Sequence, residues 1–232
     1  MPLDATGHDT GWNGRYSFQY HALSADSVGR QAVDDKYIQK NMFDDMYIKH
    51  VEHFEAVLAV DADYIRANED LSAAVPITFT IDHQPDVPRN LTWAFDSHAQ
   101  ITAYTLVFTG TDAKGATITD TFTQASGWAG TTAKAYATIT SIQLTARTGT
   151  GAADTMDIGI GSILGLANNI DATTDVYKVT KSAAAGNAAD YSGAANVTVN
   201  ATNDTVDVST GAAIVDGDKF TIWYKSNMNT LA

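Results

Sequence analysis

The residues that could do chemistry are few, and their spacing suits none of the common reactions. His50 and His53, in "HVEH", stand three apart with Glu52 between them. On a helix they would be neighbours and could share a metal ion. A zinc-hydrolase pattern, however, needs histidines four apart, a glutamate next to the first, and a third ligand elsewhere. The pair is therefore read as an ordinary helix edge. "DADY" (61–64) and "DGDK" (216–219) resemble pieces of calcium loops, but neither supplies the alternating oxygens and closing glutamate such a loop requires. An aspartate–glycine pair between strands is read as a turn. No G-x-S-x-G elbow, phosphate-binding loop or dinucleotide fingerprint is present, and "GIGSILG" (159–165) opens no helix. There is no cysteine, which removes thiol nucleophiles, thiolate metal sites and disulfides. With 27 acidic residues, pairs of carboxylates say nothing about glycoside hydrolysis. The expectation is a protein that is not an enzyme, with no catalytic residue, metal or cofactor.

Charge narrows the partners. The chain has 232 residues and a formal net charge of −13, with only 14 lysines and arginines, which are scattered. Phosphate backbones and anionic membranes both need clustered cations, so neither nucleic acid nor membrane is expected as a partner. "MPLDATGHDTGWNG" has no basic and apolar signal-peptide pattern, and no apolar run is long enough to span a bilayer. Four Asn-x-Thr sequons, at Asn90, Asn196, Asn200 and Asn203, are read without that signal as threonine-rich strand sequence.

The elements that would carry any function are mostly strands. Residues 1–32 are read as an N-terminal arm, polar and glycine-bearing, with aromatics at Trp12, Tyr16, Phe18 and Tyr20. Rings in a segment without its own core suit contact with a neighbour. Residues 33–74 are read as an amphipathic helix and a connecting segment. Phe43, Tyr47, Val51, Phe54 and Leu58 recur at steps of four and three, as a helical stripe does, although "EAVLAV" (55–60) also reads as a strand. Ile38 and Met42 lie off that stripe and would be buried on a second side, inside an oligomer.

From 75 the pattern alternates. "PITFTID" puts Ile77, Phe79 and Ile81 on one face, and "NLTWAFD" does the same for Leu91, Trp93 and Phe95. "TLVFTGTDAKGATITDTFT" (105–123) reads as a hairpin with one apolar and one threonine-coated face, turning at Asp112–Gly115. In "AYATITSIQLTA" the apolar phase slips between Ile139 and Ile142, which predicts a bulge. Val197 and Val199 are expected to pair with Val206 and Val208, and Phe220, Ile222 and Tyr224 to share a face. The predicted fold is mainly β. It is a β-sandwich or barrel-like domain (75–167) preceded by the arm and one helix, with a small C-terminal β unit (168–232).

The order "VPRNLTWAFDSHAQITAYTLVFTGTDAKGATITDTFT", "AKAYATITSIQLTA", "ADTMDIGIGSILGL" resembles the β domain of tailed-bacteriophage virion structural proteins. Within that class it resembles capsid decoration proteins, also called cement or head-stabilising proteins. The resemblance spans about residues 75–167, with a weaker echo in "DTVDVSTGAAIVDGDKFTIWYKS". It implies a partner in the major capsid protein, self-association as a homotrimer, a place on the capsid exterior of the virion, and no enzymatic residues. Trp12, Tyr16, Phe18, Tyr20, Ile38 and Met42 are then the expected intersubunit contacts. Two other readings fit the same strands: a tail, neck or fibre-anchoring virion component, and a carbohydrate- or surface-binding β-sandwich module using Trp128 or Trp223 as a stacking platform.

Overall fold

A computed structural model describes residues 47–227, apart from 184, 185, 187, 194, 195 and 211. The strands are β1 (Tyr47–Val57), β2 (Asp61–Asp70), β3 (Ile77–Thr78), β4 (Arg89–Ser97), β5 (Ile101–Thr111), β6 (Thr117–Gln124) and β7 (Ala129–Thr131). They continue as β8 (Thr138–Gly149), β9 (Thr155–Gly165), β10 (Val176–Ser182), β11 (Ala189–Asp190), β12 (Thr198–Asn200), β13 (Thr205–Asp207) and β14 (Asp218–Asn227). The only helical element among the described residues is a 3-10 turn at Thr173–Asp175. The chain is mainly β, as its alternation predicts.

Two sheets face each other across the larger core. One has the order β3-β8-β5-β6, and the other β12-β13-β9-β4-β7, with β2 also paired to β9. Leu91, Trp93 and Phe95 of β4 and Met156, Ile158 and Ile160 of β9 meet Tyr104, Leu106, Phe108, Ile142 and Leu144 between them. Each large apolar side chain buried there contributes about 1.5–3 kcal/mol relative to exposure. The hairpin of β5 and β6 forms in the predicted register, Leu106 opposite Phe122 and Thr109 opposite Thr119. Its turn holds because Asp112 Oδ1 accepts the amides of Lys114 and Ala116, at 2.9 Å each, while Gly115 adopts φ 81°. The expected bulge is present: Ile139 pairs with Gly110 and Ser141 with Thr109, leaving Thr140 unmatched.

β9 joins this core to a second one. Its near half pairs with β2 and its far end with β13, on the same edge. At Gly159 the crossing is so close that a Cβ would collide with the Asp61 carbonyl, so only glycine fits. The second core gathers Leu164, Leu166, Val206, Phe220, Ile222 and Tyr224 under a sheet of order β1-β14-β10-β11. The predicted hairpin pairs Val199 with Val206.

The helix expected over 33–58 does not form in its described part. Tyr47–Val57 is a strand, paired antiparallel with β14 from Tyr47↔Asn227 to Phe54↔Phe220. The reason is numerical. A step of four residues keeps one face of a helix, but it also keeps one face of a strand, so Tyr47 and Val51 fit both. The step of three from Val51 to Phe54 crosses the strand. Phe54 is therefore buried at 3% exposure, while Tyr47 and Val51 remain 51% and 49% exposed. Pairing with β14 satisfies the backbone and settles the choice. Residues 33–46, including Ile38 and Met42, lie outside the described residues.

Candidate functional site

The strand geometry separates the two histidines that the sequence sets side by side. His50 faces inward, stacks on Tyr224 with ring centroids 5.0 Å apart, and lies 2.7 Å from the Ser226 hydroxyl. His53 faces outward, its Nδ1 3.0 Å from the Thr221 hydroxyl. They cannot share a metal. Among the described residues, no group of three or more histidines and acids is placed to hold an ion. The "DGDK" stretch is a turn whose Gly217 adopts φ 84°. Asp218 there accepts the Val215 amide and pairs with Lys181 at 2.9 Å.

Glu52 is the acid that burial perturbs most tellingly. It accepts hydrogen bonds from the Ala167 amide at 3.1 Å and from the Tyr224 hydroxyl at 3.0 Å. Burial still outweighs these and holds its carboxyl above the usual carboxylate range. A raised carboxyl favours the protonated folded state. Stability from this group is greatest below the unfolded value of 4.5 and is lost as pH rises through the folded one. Glu52→Gln is expected to flatten the stability curve across that window, read by urea unfolding at several pH values. A slope equal to that of the parent chain would show that Glu52 carries no such cost.

Among the described residues, the distinctive features are two sheet faces. The first is the outer face of β3-β8-β5-β6. β6 presents Thr117, Thr119, Thr121 and Thr123, all exposed. β5 adds Thr105, Val107, Thr109 and Thr111, and β8 adds Thr138, Ser141 and Gln143. No ionisable side chain stands among these positions, on a chain whose net charge is −13. Cross-strand hydroxyl pairs knit the face together, Thr111 to Thr138 at 2.7 Å and Thr105 to Thr123 at 3.1 Å. The acid on β6, Asp120, points to the other side and pairs with Lys134 and the Tyr136 hydroxyl, both at 3.0 Å. Short β-branched hydroxyl side chains lose little rotamer freedom on contact and offer both donors and acceptors.

The second is the outer face of β1, β14 and β10. Register places Lys49 opposite Lys225, and Val51 opposite Trp223, which is in turn opposite Lys178. The Lys178 ammonium lies 4.8 Å from the centre of the Trp223 ring, and that of Lys225 lies 5.0 Å from the Tyr47 ring. Sequence reading weighs Trp223 alone and misses this face, because β1 and β14 come together from opposite ends of the described chain. The alternation of Lys49 and Val51 on one strand and Trp223 and Lys225 on another was the available signal. Trp128, the other proposed platform, packs edge-on to Phe95 and is stacked by His98 at 4.1 Å and 6°. One face of its indole is thus already covered.

The contact residues expected from sequence, Trp12, Tyr16, Phe18, Tyr20, Ile38 and Met42, all lie outside the described residues. Among the described residues no helix is long and apolar enough to cross a membrane. Comparison of the chain with protein-family models, with curated proteins and with solved structures found no match.

Proposed function

We propose that this chain is a non-enzymatic virion component of a tailed phage. In this reading it decorates the capsid exterior and stabilises the shell by binding the major capsid protein and further copies of itself. The observation that carries the reading is the threonine face of β5, β6 and β8. It is regular and uncharged, exposed along β6 and half-exposed along β5, on a chain that is otherwise acidic. Such a surface can be buried against another protein without desolvating ions. The mechanism is mass action: a ligand that binds only the assembled shell stabilises it by an amount set by its affinity and concentration. The order of motifs between 75 and 167 supports the same class by resemblance.

The experiment is co-sedimentation of the purified full-length chain with expanded shells that lack it. Saturable binding is expected, with a raised temperature of shell disruption. Deleting residues 1–32, with Trp12, Tyr16, Phe18 and Tyr20, is expected to weaken that binding about tenfold or more, as loss of an aromatic anchor does. A chain that ignored shells but formed rings or tubes alone would belong to the tail or neck instead. Glycan binding by the isolated chain, with no affinity for shells, would favour the surface-binding module instead.

A further inference from the structure

The outer face of β1, β14 and β10 gathers lysines of like charge around an aromatic centre. Lys49 and Lys225 are directly opposed across two strands, an arrangement of like charges that destabilises a sheet. Trp223 sits at the centre, flanked by Val51 and by the Lys178 ammonium. The acid on this face of β1, Glu55, lies at the far end and is taken by Lys219 at 2.7 Å. Lys225 reaches Asp175 only at 3.5 Å. Among the described residues neither Lys49 nor Lys178 has a close ion-pair partner, although Asp190 of β11, whose carboxyl Ser192 chiefly holds below the usual range, also feels the Lys178 charge. Tyr47 and Val51 leave about half their surface exposed beside these charges, at 51% and 49%. A cationic rim around an aromatic and aliphatic centre is the anatomy of a protein-binding patch.

We propose that this face docks the carboxylate-bearing surface of a second copy of this chain. Charge complementarity selects that occupant. The chain carries 27 acids against 14 lysines and arginines, so its own copies are polyanions, to which a lysine-rimmed face is complementary. The contact must be head-to-tail, because face-to-face stacking would set each lysine against a lysine. A head-to-tail contact repeated around an axis closes into a ring, and a trimer is a small case of it. Three strands and five alternating rows cover roughly 15 Å by 27 Å. That is below the area of a standard interface, so the contact is weak alone and depends on ionic strength. Docking here goes beyond shell binding and does not require it.

The test is sedimentation equilibrium of the full chain, with Lys49→Glu/Lys178→Glu and Lys49→Gln/Lys178→Gln variants beside it. Both lysines are exposed, so the variants keep their fold, checked by circular dichroism and thermal unfolding. The parent chain is expected to self-associate in low salt and to weaken about tenfold in 0.5 M NaCl. The glutamate variant should associate roughly tenfold to hundredfold more weakly, and the glutamine variant should fall between. A parent chain that stays monomeric, or a glutamate variant that associates as the parent does, overturns the proposal. Shell co-sedimentation separates the two readings. A monomeric parent that still binds shells sinks self-docking and leaves shell decoration standing. Lysine-dependent association with no shell binding does the reverse. A glutamate variant that stays oligomeric but loses shells would assign the face to the capsid protein and overturn docking by a copy.

Discussion

Arg89→Met is expected to lose about 3–5 kcal/mol of folding stability, the range for breaking a buried ion pair from one side. Arg89 is wholly buried, at 0% exposure, where the two cores meet. Its guanidinium donates to the Gly161 carbonyl of β9, to the Leu58 carbonyl just past β1 at 3.0 Å, and to Asp86 at 3.0 Å. Asp86 in turn accepts the Leu58 amide at 2.8 Å. One side chain thus ties the exit of β1 to β4 and β9. Burial pulls its proton affinity down and the Asp86 carboxylate opposes that, so the pair holds only while both members are present. Methionine fills much of the volume but abandons one carboxylate and two carbonyls. Lysine should not rescue it, because one ammonium cannot reproduce the planar fork. Urea unfolding at neutral pH reads the loss, and a change below about 1 kcal/mol would show that the junction is held by packing instead.

Arg89 also shows what the sequence could and could not disclose. "VPRNLTWAFD" announces a turn into a strand, and Leu91, Trp93 and Phe95 are buried together as the alternation requires. Asp86 stands three residues before it, but nothing in the string says that the arginine points inward, because its other acceptors are backbone carbonyls supplied from 58 and 161. The threonine hairpin was legible because both its faces and its turn lie within 19 consecutive residues. The strand Tyr47–Val57 was not, because its partner begins at Asp218, and steps of four do not distinguish helix from strand. The same distance hid the lysine and tryptophan face. Local pairings were readable, and pairings closed across the whole chain were not.

Thr121→Lys and Thr121→Glu, made separately, should each weaken shell binding by about 100-fold or more while leaving the fold intact. Thr121 lies in the middle of β6, exposed, opposite Val107. A lone charge there costs the free protein little, since lysine and glutamate both stay in water on an exposed strand position. Burying that charge without a partner costs several kcal/mol, and each 1.4 kcal/mol is tenfold in affinity. Using both signs separates contact from field. If the face is buried against the shell, either charge is desolvated and both variants lose affinity. If the face stays in solvent and binding is steered by net charge alone, Glu and Lys move the affinity in opposite directions and salt erases the difference. Binding within threefold of the parent for both variants would place the shell contact elsewhere on the chain. The uncharged face would then be scaffold alone, its hydroxyls bonded to one another across the strands as Thr105 is to Thr123.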